Sequence, residues 1–114
     1  MNGWIGCDFD STLAFHDGST MELGPPIPRM LERVKSWLAA GIEVKIVTAR
    51  VALNNPIDYN AQQVRKIKAW CIKYLGQELD VTCSKDFRML ELWDDRCVQV
   101  EMNTGRILGK SSGL

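Results

Sequence analysis

Trp4-Ile5-Gly6-Cys7-Asp8-Phe9-Asp10-Ser11-Thr12-Leu13 is a short, mostly apolar run that ends in two aspartates one residue apart. Such a run suits a strand buried on both faces, as in a parallel sheet covered by helices. Ligands of open α/β sheets bind beyond the carboxyl ends of the strands, which is where Asp8 and Asp10 emerge. Two carboxylates this close repel unless a cation, a shared proton or solvent intervenes. A hard cation such as Mg²⁺ takes oxygen ligands of this kind. Taken alone, Asp-x-Asp is equally a strand end running into a turn, because Asp is common there.

The rest of the chain repeats the pattern of strand, helix and polar strand end. Ala14 to Pro26, with His16-Asp17-Gly18-Ser19 and Gly24-Pro25-Pro26, reads as a loop or small hairpin flap beside the site. His16 is a candidate general base there, although a lone loop histidine is more often a bystander. Ile27, Met30, Leu31, Val34, Trp37 and Leu38 recur at helical spacing, and Gly41 supplies the left-handed residue that stops the helix. Glu43 to Arg50 follows as a second strand, which completes a βαβ unit and brings Thr48 beside Asp8 and Asp10.

Asn54-Asn55-Pro56 breaks the chain before a helix from about Asn60 to Leu75, stopped by Gly76. Its Arg65, Lys66, Lys68 and Lys73 read first as a solvated face, and second as a contact for a phosphate backbone. Leu79 to Ser84 is a third strand with Lys85 just past its end, and Met89 to Asp95 a fourth that ends in a second acidic pair, Asp94-Asp95. Val98 to Met102 alternates apolar and polar, as an edge strand does, before the turn at Asn103-Thr104-Gly105. A flexible tail is expected from about 108 to 114. Gly105 to Ser111 is not a phosphate-binding P-loop, since three residues rather than four separate its glycines.

A length of 114 residues predicts a single domain, 1–114, with room for one core. Lys+Arg and Asp+Glu balance at 14 each, so no global field favours nucleic acid or an anionic membrane. Cys7, Cys71, Cys83 and Cys97 are scattered and His16 is the sole histidine, which argues against zinc and for a reduced interior. The chain shows neither a leader-like segment nor an apolar run of spanning length, so a cytoplasmic location away from membranes is the expectation.

Four consecutive strand ends thus deliver Asp8 and Asp10, Thr48, Lys85, then Asp94 and Asp95 to one edge. In this order the set resembles the haloacid dehalogenase-like (HAD) superfamily, dominated by magnesium-dependent phosphatases, over residues 4 to 95. The matching motifs are Asp8-Phe9-Asp10-Ser11-Thr12, Val47-Thr48, Lys85 and Asp94-Asp95.

The resemblance implies a Rossmann-like α/β fold, with a mainly parallel sheet in the order 5-4-1-2-3 flanked by helices and no large cap domain. It implies hydrolysis of a phosphoester with Mg²⁺ as cofactor, Asp8 being the nucleophile that forms an aspartyl-phosphate. Asp10 would protonate the leaving oxygen and then activate water, while its backbone carbonyl ligates the metal. Thr48 and Lys85 would neutralise the phosphoryl oxygens, with Phe9 and Ala49 also beside the phosphate. Asp95 would be the direct metal ligand, together with Asp8, and Asp94 would hold a metal water or Lys85. Trp93-Asp94-Asp95-Arg96 is similar to the acidic motif of some phage and nucleotide-directed members, including polynucleotide 3′-phosphatase domains. The partners implied are a phosphorylated small molecule or a nucleic-acid end, with a second copy as a candidate cover for an open site. The rival expectation is a non-catalytic domain of the same fold that keeps Mg²⁺ for binding or assembly.

Overall fold

The computed structural model describes residues 2–109, so most of the expected tail lies outside the described residues. At the centre of its sheet is β1 (Trp4–Cys7), whose four residues are all buried. β2 (Glu43–Val47) pairs with one edge of β1 and β4 (Met89–Trp93) with the other, while β3 (Asp80–Thr82) lies outside β2. All three pairings are parallel, in the order β3-β2-β1-β4. The expected strands are present but shorter, because each yields to a turn before its polar end.

Two helices link the first three strands. α1 (Pro28–Ala39) begins on a proline, which is preset for the first helical turn and loses no bond there. It ends as Gly41 takes φ 79°, so that Gly41 N–H reaches Leu38 O and Ile42 N–H reaches Trp37 O, each at 3.0 Å. α2 (Ile57–Leu75) starts three residues before the expected Asn60, directly after Pro56 and with Asp58 in its first turn to complement the helix dipole. Gly76 at φ 82° stops it.

Both helices join one core with Cys7, Val44 and Ile46, and Val81 and Trp93 pack against that core. Register puts Cys7, Ile46, Val81 and Trp93 on one face of the sheet. Phe9 closes the core edge-to-face on Trp70, ring centroids 4.9 Å apart. The opposite face carries Trp4 and Lys45, whose ammonium sits 4.6 Å from the Trp4 ring centroid.

The return from β3 to β4 spans the whole sheet with residues 83–88 and no helix. Parallel crossovers usually take a dozen residues or more. An extended chain covering about 3.3–3.6 Å per residue can nevertheless cross strands spaced about 4.8 Å apart. The segment is pinned beside Trp4, whose indole N–H donates to Asp86 Oδ1 at 3.0 Å and whose backbone N–H donates to Arg88 O at 2.9 Å.

The expected fifth strand does not extend the sheet. β5 (Gln99–Val100) pairs antiparallel with β6 (Ile107–Leu108) as a separate hairpin. Asn103 and Gly105 take positive φ of 66° and 79°, and Glu101 accepts an ion pair from Arg106 at 2.7 Å. Closing this short loop costs less chain entropy than carrying the strand back to the sheet. Among the described residues no helix is long and apolar enough to cross a membrane.

Candidate functional site

The carboxyl ends of β1 and β4 meet at Asp8, whose backbone N–H donates to Trp93 O at 2.9 Å. Beyond Asp8 the chain curls tightly. Phe9 O accepts from the N–H groups of Thr12, Leu13 and Ala14, and Ser11 takes φ 68° to make the turn. That curl brings the Thr12 hydroxyl between two acids, 3.3 Å from Asp8 Oδ2 and 3.3 Å from Asp95 Oδ1. The same oxygen accepts Asp95 N–H at 3.1 Å. A hydroxyl has one proton, so it serves one carboxylate at a time while its lone pair fixes the backbone of Asp95.

Asp8, Asp94 and Asp95 each present a carboxylate oxygen within 4.8 Å of the others. Burial, the neighbouring charge of Asp94 and a side-chain hydrogen bond with Asp95 push the Asp8 carboxyl up to about 7. Hydrogen bonds from Phe9 N–H and Thr12 act in the opposite direction and are outweighed. The repulsion on Asp8 would be relieved by a proton or a cation inside the cluster. Its donors are all carboxylate oxygens, the set that a hard divalent cation takes, and neither Cys nor His belongs to it.

Asp10 is held elsewhere. Arg50 Nε donates to its Oδ2 at 2.7 Å and Arg50 Nη2 to its Oδ1 at 2.8 Å, a two-pronged ion pair. Thr48 is buried at the end of β2, its backbone N–H on Thr82 O at 2.8 Å and its hydroxyl oxygen accepting Arg50 N–H at 3.1 Å. Thr48, the exposed Ala49 and His16 all line the same cleft as the acids. His16 Nε2 lies 3.1 Å from Thr20 O in the flap. The Phe9 side chain is fully buried in the core, so only its backbone serves the site.

Lys85 is not brought in. β3 stops at Thr82, and the Thr82 hydroxyl accepts Ser84 N–H at 3.1 Å, a turn that starts the chain on its way to β4. Lys85 lies in this exposed return segment and does not line the cleft.

The cleft itself measures about 1220 Å³ and runs from the acids past Thr48 to Leu53, Asn55 and Tyr59. Three residues had no role in the sequence reading: Arg50 and Arg96, which line the cleft, and Thr12, which links Asp8 to Asp95. Thr12 stood inside the quoted motif, and Arg50 stood two residues beyond Thr48, so both were visible as polar groups at strand ends. Comparison with protein-family models, with curated proteins and with solved structures finds no match to this chain.

Proposed function

We propose that the chain is a HAD-like, Mg²⁺-dependent phosphohydrolase that releases phosphate from a phosphoester through an aspartyl-phosphate on Asp8. The observation that carries this reading is the convergence of Asp8, Asp94 and Asp95 at the strand ends, opening into a cleft shared with Thr48. Bound among those carboxylates, Mg²⁺ would offset the repulsion between an anionic nucleophile and the phosphoryl oxygens. An Asp8 oxygen attacks phosphorus, the bond from phosphorus to the ester oxygen breaks, and that oxygen leaves with a proton from Asp10. Water then attacks the phosphorus, giving its proton to Asp10, and phosphate departs as the Asp8 carboxylate is restored. The Thr48 hydroxyl, already accepting from Arg50 N–H, keeps its own proton to donate to a phosphoryl oxygen. The large open cleft suits a phosphorylated small molecule or a nucleic-acid end.

The test is hydrolysis of an aryl phosphate with Mg²⁺, with chelator, and by Asp8→Asn. Loss of the nucleophile should lower turnover at least about a thousandfold, and chelation should abolish it. Activity that survives both treatments ends the reading.

One observation favours a second reading, a non-catalytic Mg²⁺-binding interaction module: Lys85 lies outside the cleft. Mg²⁺ binding without turnover on phosphorylated metabolites or on 3′- and 5′-phosphorylated oligonucleotides would decide for it.

A further inference from the structure

The Arg50 side chain is 4% exposed, and four of its five guanidinium N–H donors are engaged. Besides the two bonds to Asp10, Nη1 donates to Met21 O at 2.8 Å and to Gln63 Oε1 at 3.1 Å. The backbone beneath it is held as firmly. Its N–H is capped by Thr48 Oγ1 and its carbonyl accepts from Asn55 Nδ2 at 3.3 Å. Burying a guanidinium is costly unless its donors find acceptors, and here the four acceptors come from three separate parts of the chain: the strand-end loop, the flap and α2.

We propose that Arg50 is the positioning residue for Asp10, fixing the plane of its carboxylate and tying that plane to the flap at Met21. This deepens the phosphohydrolase reading and rests on it. The two-pronged pair uses one lone-pair direction on each Asp10 oxygen and leaves others for the departing ester oxygen and the incoming water. A carboxylate on a free side chain would sample several rotamers, whereas this one is aimed. Proton transfer depends on geometry before anything else, so the aim sets how well Asp10 serves a poor leaving group. Met21 O on the same guanidinium means that movement of the flap reaches Asp10 through a single side chain. Lysine can match the charge but not the planar fork.

The experiment compares wild type, Arg50→Lys, Gln63→Ala and Asp10→Asn on two substrates with Mg²⁺. One is an alkyl phosphate, whose leaving oxygen needs a proton, and the other is p-nitrophenyl phosphate, whose leaving group departs as a stable anion. Arg50→Lys should lower kcat on the alkyl ester by about 10²-fold, within the range that general-acid catalysis supplies, and much less on the aryl ester. KM and calorimetric Mg²⁺ affinity should stay near wild type, because Arg50 is not among the clustered acids. Gln63→Ala, which keeps the pair with Asp10, should show a weaker loss with the same substrate preference. Combining Arg50→Lys with Asp10→Asn should add nothing on the alkyl ester, as expected for residues acting as one unit.

Equal losses on both esters, or fully additive losses in the double variant, would reduce Arg50 to scaffold and overturn the proposal. A wild-type protein that hydrolyses neither ester while binding Mg²⁺ defeats the phosphohydrolase reading itself, and the proposal with it. That result is told apart because it appears before any substitution is made.

Discussion

The two parts of this molecule that meet at Asp8 are built differently. Every buried residue of the described chain lies between Gly3 and Leu79, and residues 83–109 contribute none. The first part holds Asp8, Thr12, Thr48 and Arg50 by packing: two helices press on β1 and β2, and Phe9 locks on Trp70. The second part delivers Asp94, Asp95 and Arg96 from β4, an edge strand whose Leu90 and Leu92 are 50% and 37% exposed. What holds β4 is its parallel ladder to β1, the bond from Asp8 N–H to Trp93 O, and the stack of Trp93 on Trp37 and Arg33. One acid of the cluster, Asp8, therefore stands on a core, and two, Asp94 and Asp95, stand on an edge. A cation placed between them would tie a buried region to an exposed edge strand.

The largest expected effect probes packing. Ile67→Ala removes a fully buried side chain and should cost about 2–5 kcal/mol. Leu92→Ala, on the exposed side of β4, should cost no more than about 1 kcal/mol. Urea denaturation of both variants measures the contrast, and comparable losses would mean that β4 is packed as firmly as the core.

A smaller effect comes from the charges that bridge the parts. In the folded protein Asp8 is pushed up from 3.8 to about 7, so between these values the native state binds more protons than the unfolded state. Stability from this group is complete below pH about 4 and is lost as pH rises through about 7. Water screens the half-exposed site, so the loss should be of order 1–2 kcal/mol. Under the proposed Mg²⁺ binding, the cation would take the proton's place, and its gain in Tm should be larger at pH 8 than at pH 5. Calorimetric scans of the metal-free protein at the two pH values check the sign; a protein more stable at pH 8 than at pH 5 without metal would refute it. Asp8→Asn should remove the pH dependence.

The smallest effect isolates the contact across the seam. Thr12→Val deletes the hydroxyl that touches both Asp8 and Asp95, at a cost of about 1 kcal/mol. Hydrogen exchange should show the loss concentrated in residues 89–96, with β2 protected as before. Uniform loss of protection across both parts would show that Thr12 supports the whole fold and not the seam.

Much of this was written locally. Apolar residues at helical spacing with Gly41 and Gly76 behind them specify both helices, because periodicity and a left-handed stop act over a few residues. The run Trp4 to Cys7 specifies the central strand in the same way, and with it the place of Asp8. The acidic pair at 94 and 95 also lies where its strand ends.

Local patterns of residues thus set the alternation of elements and the edge at which the acids emerge. Which polar groups meet at that edge follows from packing between distant parts of the chain. Asp10 and Arg50 are forty residues apart in the chain and pair because a short 3-10 turn, Ala49–Val51, directs the guanidinium inward. Lys85 misses the cleft because β3 is three residues long and turns at Ser84. The last strand leaves the sheet because a hairpin closed by Glu101 and Arg106 is within easier reach. In each case the outcome depends on strand length, turn direction and the cost of closing a loop, quantities set by the whole chain in space rather than by any window of its sequence.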